Sequence, residues 1–263
     1  MTKSLSTRRT TKRPPFVLAK IALQEGLARG ECPVCFSSRK ATRRYIHSFL
    51  YEGMMSSLAR QEFLAGGGFC REHFWEAKNI ERECWANGFG VAILCENLLE
   101  AFAQDLEKLG NTQAGSNTSF LKLRRPAKNR EMPFTPGSKC LACEIARRTE
   151  ERHVATLEEL LADSNFREGF EQSAGLCVGH IHTISEHWAS ETAVEIVKRV
   201  ATNQVRKLID QLREFQRKHD YRYKHEPRGP EWSSPERAIG FLVGPKQELE
   251  GFEELVPTHR RRR

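Results

Sequence analysis

Cys32-Pro33-Val34-Cys35 and Gly68-Phe69-Cys70-Arg71-Glu72-His73 are two short stretches that recur in the second half of the chain. Their counterparts are Cys140-Leu141-Ala142-Cys143 and Gly175-Leu176-Cys177-Val178-Gly179-His180. Each half therefore reads C-x2-C, then 34 or 33 intervening residues, then C-x2-H. Residues between the ligand pairs also match at a spacing of 107: Leu50 with Leu157, Glu52 with Glu159, Met54 with Leu161, Arg60 with Arg167, and Phe63 with Phe170. This recurrence predicts an internal duplication.

Three cysteines and one histidine in each half form a donor set that zinc prefers, because Zn²⁺ binds thiolate and imidazole in tetrahedral sites. A C-x2-H pair in the first turn of a helix places both side chains on one face, and the helix N-terminus stabilises the thiolate. We predict two zinc ions per chain, one in each half, in closed structural sites. The ligands are Cys32, Cys35, Cys70 and His73 in the first half, and Cys140, Cys143, Cys177 and His180 in the second.

Other assignments of these cysteines remain open. An iron–sulfur cluster with one histidine ligand is an alternative to zinc, and ligand pairs can be exchanged between the two halves. Disulfides are disfavoured because the N-terminus has no apolar stretch of the signal-peptide kind. The c-type haem pattern is absent because Phe36 and Glu144 follow the second cysteines.

The composition is typical of a soluble globular protein, with 39% hydrophobic and 29% charged residues among 263. No apolar run approaches the roughly 18 residues needed to span a bilayer. We therefore expect a cytoplasmic protein without a membrane partner.

The net charge of +8 lies in the two tails. Residues 1–13 contribute five positive charges and residues 260–263 contribute four, so the body between them carries about one net negative charge. A folded nucleic-acid groove would place the excess charge on the body. Nucleic-acid contact is therefore expected through the tails, together with the basic linker at 110–138.

The spacing of apolar residues predicts a mainly α fold. Two duplicated, metal-stapled helical modules are expected to pack together, followed by an irregular or helical C-terminal extension. The predicted helices cover about residues 15–29, 43–53, 57–65, 70–78, 88–109 and 191–217, with a second-half helix around Leu157, a cap at Asp163 and a short final helix from Ser234.

The predicted organisation is a disordered basic tail (1–13), a first module (14–109), a linker (110–138), a second module (139–217), a C-terminal element (218–246) and a polar, basic tail (247–263).

The C-terminal element does not belong to the repeat, and its core is Lys218-His219-Asp220-Tyr221-Arg222. Together with the Cys/His stretches, the block from Phe215 to Gly244 resembles a bacterial domain-of-unknown-function family, number sixty-sixty-two, over roughly residues 30–245. The resemblance implies two metal-binding modules and a shared C-terminal element, and it implies no activity. The chain departs from the pattern at Leu141-Ala142, which replaces the proline-containing turn of the first half.

The residues favour a zinc-binding adaptor over an enzyme. In this interpretation a protein or a small anionic ligand contacts the surface formed by Lys218, His219, Asp220, Tyr221, Arg222 and Glu226. The alternatives are an enzyme that uses His219 and Asp220 near a pocket between the modules, a nucleic-acid-associated protein that uses its tails, and a redox or metal sensor. The ligand, the partner and the oligomeric state are not encoded in any recognisable motif.

Overall fold

The protein is described by a computed structural model that covers residues 17–85, 87–111, 134–223 and 225–246. Within these ranges the chain is helical and contains no β-strand, which confirms the mainly α prediction. The two predicted tails, most of the predicted linker and Lys224 lie outside the described residues.

Ten α-helices occur within the described ranges, and four of them in each half follow the same order. They are α1 (Val17–Ala28), α2 (Pro33–Tyr51), α3 (Ser57–Ala65), α4 (Arg71–Cys84), α5 (Phe89–Asn111), α6 (Leu141–Leu160), α7 (Ser164–Glu171), α8 (Val178–His187), α9 (Glu191–Lys218) and α10 (Ser234–Val243). Short 3₁₀ turns lie at Gly53–Met55, Tyr221–Tyr223 and Pro230–Ser233.

The helix boundaries follow local signals. Asp163 caps α7, since its carboxylate accepts hydrogen bonds from the backbone amides of Asn165 and Phe166. Ser190 caps α9 in the same way through the amide of Ala193. Pro235 lies in the first turn of α10, where a missing N–H costs nothing.

The second helix is longer than predicted, because it begins at Pro33 rather than near Arg43. Proline is favoured at the first helical position, and the carbonyl of Cys32 accepts the first helical hydrogen bond, from the amide of Phe36. The C-x2-C stretch is therefore the start of a helix and not a separate turn.

The chain forms two compact units, and the first combines two separate stretches of sequence. Among the described residues, 17–39 and 149–246 belong to the first unit, and those between 40 and 148 belong to the second. The boundaries fall inside α2 and α6, so each of these helices contributes its beginning to one unit and its remainder to the other.

Each unit has its own apolar core. The first core includes Leu23 of α1, Leu157 of α6 and Phe170 of α7, which are fully buried. The second includes Ile46 of α2 and Ile80 of α4, also fully buried, and Phe63 of α3 at 2% exposure.

The apolar residues of α5 are only partly covered by the core. Val91, Leu94 and Leu98 lie in the second core, whereas Leu99 is 66% exposed and Leu106 is 47% exposed. Helix α5 is apolar over more than one face, and the core covers only part of that surface.

Candidate metal centres

Cys32, Cys35, Cys177 and His180 form one four-residue cluster in the first unit, which we call site 1. The Nδ1 atom of His180 lies 3.5 Å from the sulfur of Cys32, 3.3 Å from that of Cys35 and 3.2 Å from that of Cys177. The sulfurs of Cys35 and Cys177 are 3.6 Å apart.

The same arrangement occurs in the second unit, where Cys70, His73, Cys140 and Cys143 form site 2. The Nδ1 atom of His73 lies 3.2 Å from the sulfur of Cys70, 3.5 Å from that of Cys140 and 3.3 Å from that of Cys143. The sulfurs of Cys70 and Cys143 are 3.6 Å apart. In both clusters the four ligand atoms lie within 4.8 Å of one another, so each cluster can hold a metal ion.

The grouping of the ligands differs from the predicted one. Each C-x2-C pair meets the C-x2-H pair of the opposite half, so the prediction of one complete site within each half is wrong and the exchanged pairing is the one observed. The physical reason is that α2 and α6 each change unit shortly after their first turns. The C-x2-C pair at the start of each helix therefore lies in a different unit from the C-x2-H pair of its own half.

All four ligand pairs stand at helix N-termini. Cys32, Cys70, Cys140 and Cys177 each precede a helix, and the carbonyl of each accepts a hydrogen bond from the amide four residues later. The second ligand of each pair follows three residues on, in the first helical turn. Two helix N-termini therefore converge on each cluster, and their partial positive charges favour thiolates over thiols.

The glycine run Gly66-Gly67-Gly68 brings Cys140 to site 2. The amide of Gly137 donates to the carbonyl of Gly67 at 2.7 Å, and the amide of Lys139 donates to the carbonyl of Gly66 at 3.0 Å. Gly67 has a φ of +72°, and a Cβ there would overlap the carbonyl oxygen of Thr135. This run directly follows the helix predicted at 57–65, and in the structure it also binds the segment that leads to Cys140.

Helix α1 positions the first ligand pair of site 1. Gly26 near its end lies against the start of α2, where a Cβ would come within 2.7 Å of the Cα of Pro33. The amide of Glu31 donates to the carbonyl of Gly26 at 3.3 Å. Because Leu23 on the same helix is fully buried in the first core, this contact fixes the position of Cys32.

The two clusters differ in exposure. At site 1 Cys32, Cys177 and His180 are buried and Cys35 is half-buried. At site 2 only Cys140 is buried, Cys70 and His73 are half-buried, and Cys143 is exposed. Solvent therefore reaches the ligands of site 2 more readily.

Without an ion, the thiols of a cluster compete for protons. Hydrogen bonding with Cys32 and Cys35 lowers the pKa of Cys177, whereas hydrogen bonding with Cys177 raises the pKa of Cys35. At site 2, burial and hydrogen bonding with Cys70 raise the pKa of Cys143 to about 12. A bound dication lowers the pKa of every thiol that coordinates it, so the thiols lose their protons and bind the ion as thiolates.

The C-terminal element is held by a partly buried ion pair that the sequence did not reveal. The Nζ atom of Lys218 donates to Oε1 of Glu231 and to the carbonyl of Pro227, both at 2.8 Å. The side chains of Lys218 and Glu231 are 13% and 6% exposed. Hydrogen bonds from Lys218 and from the amide of Gly229 lower the pKa of Glu231 to about 2.

The remaining residues of the predicted ligand surface have separate partners. His219 places Nδ1 2.9 Å from the carbonyl oxygen of Phe215, and its ring stacks on Trp232 at 5.3 Å. Asp220 pairs with Arg222 at 2.6 Å. The structure thus gives Asp220 an arginine rather than the ring of His219 as its partner.

Glu226 pairs with Arg217, a residue outside the predicted surface. Tyr221 is 77% exposed. The charges of the predicted surface are therefore paired, Asp220 with Arg222 within it and Lys218 and Glu226 with residues outside it, and Tyr221 protrudes beside them.

No helix in the described part of the chain is both long and apolar enough to cross a membrane. The fold and the two clusters define an all-α protein with two Cys₃His groups that can hold metal ions. The chain belongs to the DUF6062 family, a family of unknown function whose sequence profile matches residues 17–249. Searches of curated proteins and of solved structures found no match. The family resemblance that the sequence suggested is therefore confirmed.

Proposed function

We propose that the protein is a cytoplasmic zinc-binding adaptor in which two structural Zn²⁺ ions hold the helices in place. The observation that carries the proposal is that each cluster offers three sulfurs and one imidazole nitrogen around a common centre. Four protein ligands saturate a tetrahedral zinc ion, so no coordination position is left for a substrate or an activated water.

The ligand spacing supports zinc. A tetrahedral ion with Zn–S bonds of 2.3 Å places its sulfurs about 3.8 Å apart, and a shorter Zn–N bond brings sulfur and nitrogen to about 3.5 Å. One sulfur pair in each cluster is 3.6 Å apart, each sulfur lies 3.2–3.5 Å from the Nδ1 atom, and all four ligand atoms lie within 4.8 Å of one another. An iron–sulfur cluster is the alternative cofactor, and its larger core would need the ligands further apart.

The recurring order of helices and ligands supports an internal duplication. In each half a helix bearing C-x2-C precedes a short helix, a helix bearing C-x2-H and a long helix. An exchange of ligand pairs between two such copies yields the same two donor sets, because both copies supply the same residue types.

The adaptor role rests on the closed metal sites and on the exposed surface around Tyr221. Tyrosine and arginine are enriched at the centres of protein interfaces, and Tyr221 lies next to Arg222, whose side chain is 63% exposed. A protein with an acidic or hydrogen-bonding surface is the partner that this pair fits, and a small anionic ligand is the alternative.

Catalysis by His219 and Asp220 receives less support. A carboxylate that orients a histidine base must hydrogen-bond its ring, whereas Asp220 binds Arg222 and His219 contacts a backbone carbonyl. The nucleic-acid alternative depends on the tails at 1–13 and 247–263, which lie outside the described residues.

The metal proposal is tested by elemental analysis and by substitution of Co²⁺ for the native ion. Two zinc ions per chain are expected. The Co²⁺ protein should show the absorption of a tetrahedral thiolate site, and added cyanide or imidazole should leave the spectrum unchanged because no position is open.

Iron with a brown chromophore, or no metal, would overturn the zinc assignment. A Co²⁺ spectrum that shifts with added cyanide would show an open position and would replace the structural role by a catalytic one.

A further inference from the structure

We propose that a cleft between α4 and α5 in the second unit binds the monomeric anion of a long-chain fatty acid. This inference is separate from the adaptor proposal, because the cleft uses none of the residues of the Tyr221 surface.

The cleft is large enough for a small molecule and has apolar walls. Its volume is about 600 Å³, within the roughly 300–1,000 Å³ of small-molecule sites. Two faces form it, with Phe74 and Trp75 on α4 and Leu98, Leu99 and Phe102 on α5. Phe134 closes one side, since its ring packs on Phe102 at 5.7 Å and its amide donates to Asp105 at 3.0 Å.

The wall residues are exposed to a degree that is unusual for their type. Trp75 is 64% exposed and Leu99 is 66% exposed, although both border a buried core. Continuous apolar surface of this kind on a soluble protein marks a binding site. An aliphatic chain would remove it from water at about 0.8 kcal/mol for each buried CH₂ group.

The charge of the lining selects an anion. Among the described residues that line the cleft, the only charged ones are Lys78 and Arg71, and Arg71 also pairs with the adjacent Glu72 at 3.0 Å. The two basic residues lie seven residues apart on α4, so Phe74 and Trp75 stand between them on the same helical face. The carboxylate therefore lies on the α4 side and the chain extends along α5.

A neighbouring groove provides a contrast. It shares Cys95 and Leu99 with the cleft but is lined by Glu96 and Glu100, which would repel a carboxylate. The anion is thus expected at the α4 side of α5 and not at the opposite side.

Residues 112–133 are an alternative occupant, because this part of the chain joins α5 to Phe134. Its sequence contains Lys122, Arg124, Arg125, Lys128 and Arg130 against the single acid Glu131. This excess of positive charge makes it a poor match for Arg71 and Lys78.

The test is calorimetric titration of the metal-loaded full chain with palmitate below its micellar concentration. Palmitate should bind with a Kd of about 10 µM. Hexadecanol should bind about tenfold more weakly, hexadecylamine more weakly still, and acetate should show no binding.

Leu99→Glu places a negative charge in the cleft and should weaken palmitate binding at least tenfold. Leu106→Glu makes the same change on the same helix outside the cleft and should leave the affinity within twofold. Lys78→Gln should weaken binding about threefold, and Arg71→Gln should do the same with unchanged metal content. Arg71 adjoins Cys70 of site 2. If Arg71→Gln loses metal, the effect of Lys78→Gln alone tests whether positive charge on α4 binds the carboxylate.

Three results would overturn the proposal. They are absence of palmitate binding, equal affinity for palmitate and hexadecylamine, and equal effects of Leu99→Glu and Leu106→Glu on palmitate affinity. Replacement of residues 112–133 by a glycine–serine segment of equal length should not change the affinity. A tenfold gain in palmitate affinity would identify residues 112–133 as the occupant of the cleft, and this result would also overturn the proposal. Metal content is measured separately, so failure here leaves the zinc proposal intact.

Discussion

The sulfur of Cys35 lies 3.6 Å from the sulfur of Cys177, although 142 positions separate the two residues. At site 2 the sulfurs of Cys70 and Cys143 are equally close across 73 positions. Each cluster therefore closes a long loop of the chain, and the two loops overlap in sequence. A cross-link that closes a long loop reduces the entropy of the unfolded chain, so a metal ion at either site should stabilise the fold.

Paired serine substitutions should reveal which ligands share an ion. Cys32→Ser with Cys177→Ser should cost one zinc per chain, because both residues belong to site 1. Cys32→Ser with Cys70→Ser should cost both ions, since one ligand is removed from each site. Elemental analysis of the purified variants distinguishes these outcomes, and the reverse result would restore the pairing within each half.

The two ions should leave at different rates. Because Cys143 is exposed and Cys70 and His73 are half-buried, a chelator should remove the ion of site 2 first. We expect two kinetic phases in zinc release, followed with a colorimetric chelator, with rates that differ about tenfold or more. Cys140→Ser should abolish the fast phase and keep the slow one, whereas loss of the slow phase would mean that burial does not control release.

Gly67→Ala should loosen site 2. The substitution strains a backbone with a φ of +72° and forces a Cβ against the carbonyl of Thr135, at a cost of about 2–4 kcal/mol in unfolding free energy. Gly88→Ala is the matched control, because its φ is +70° but nothing lies within 4 Å of the added Cβ, so only about 1 kcal/mol is expected.

Denaturant unfolding and the rate of zinc release measure the two effects. Gly67→Ala should also speed the fast phase of zinc release, and Gly88→Ala should not. Equal behaviour of the two alanine variants would show that the contact with Thr135 has no energetic role.

Glu231→Gln should destabilise the protein at neutral pH and much less in acid. The folded-state pKa of Glu231 is lowered from its ordinary 4.5 to about 2 by Lys218 and the amide of Gly229. The carboxylate therefore stabilises the fold above pH 4.5, and this contribution is lost as the pH falls from 4.5 towards 2.

Thermal unfolding of the wild type and the variant at several pH values tests this linkage. The difference in midpoint should be largest near pH 7 and should shrink below pH 4. Asp220→Asn is the control, because its partner Arg222 is largely exposed and a surface ion pair contributes little. A midpoint difference for Glu231→Gln that does not change with pH would contradict the assignment.

Most helices, though not the start of α2, and the residue types of the two clusters were predictable from sequence because both follow from local rules. Apolar spacing defined α3 and α9, and the residue types of C-x2-C and C-x2-H defined the donors. The pairing of the ligands was not predictable, since both groupings give the same Cys₃His set. It depends on where α2 and α6 cross from one unit to the other, which is a tertiary property.

Other features were hidden for the same reason. The partnership of Lys218 with Glu231 spans 13 positions and depends on how Pro227 and Gly229 turn the chain. The exposure of Leu99 could not be read from α5, because its apolar residues occupy more surface than the core covers. In each case the deciding contact involves residues outside the local pattern.

The division of α2 and α6 between the units sets the order in which a ribosome can complete the two sites. The last ligand of site 2 to be synthesised is Cys143, whereas site 1 must wait for His180. Among the eight residues of the two clusters, Cys32 and Cys35 are thus the first to leave the exit tunnel, and their partners Cys177 and His180 are the last. From the synthesis of Cys143 until that of His180, the nascent protein can therefore hold a complete site 2 while Cys32 and Cys35 still lack their partners.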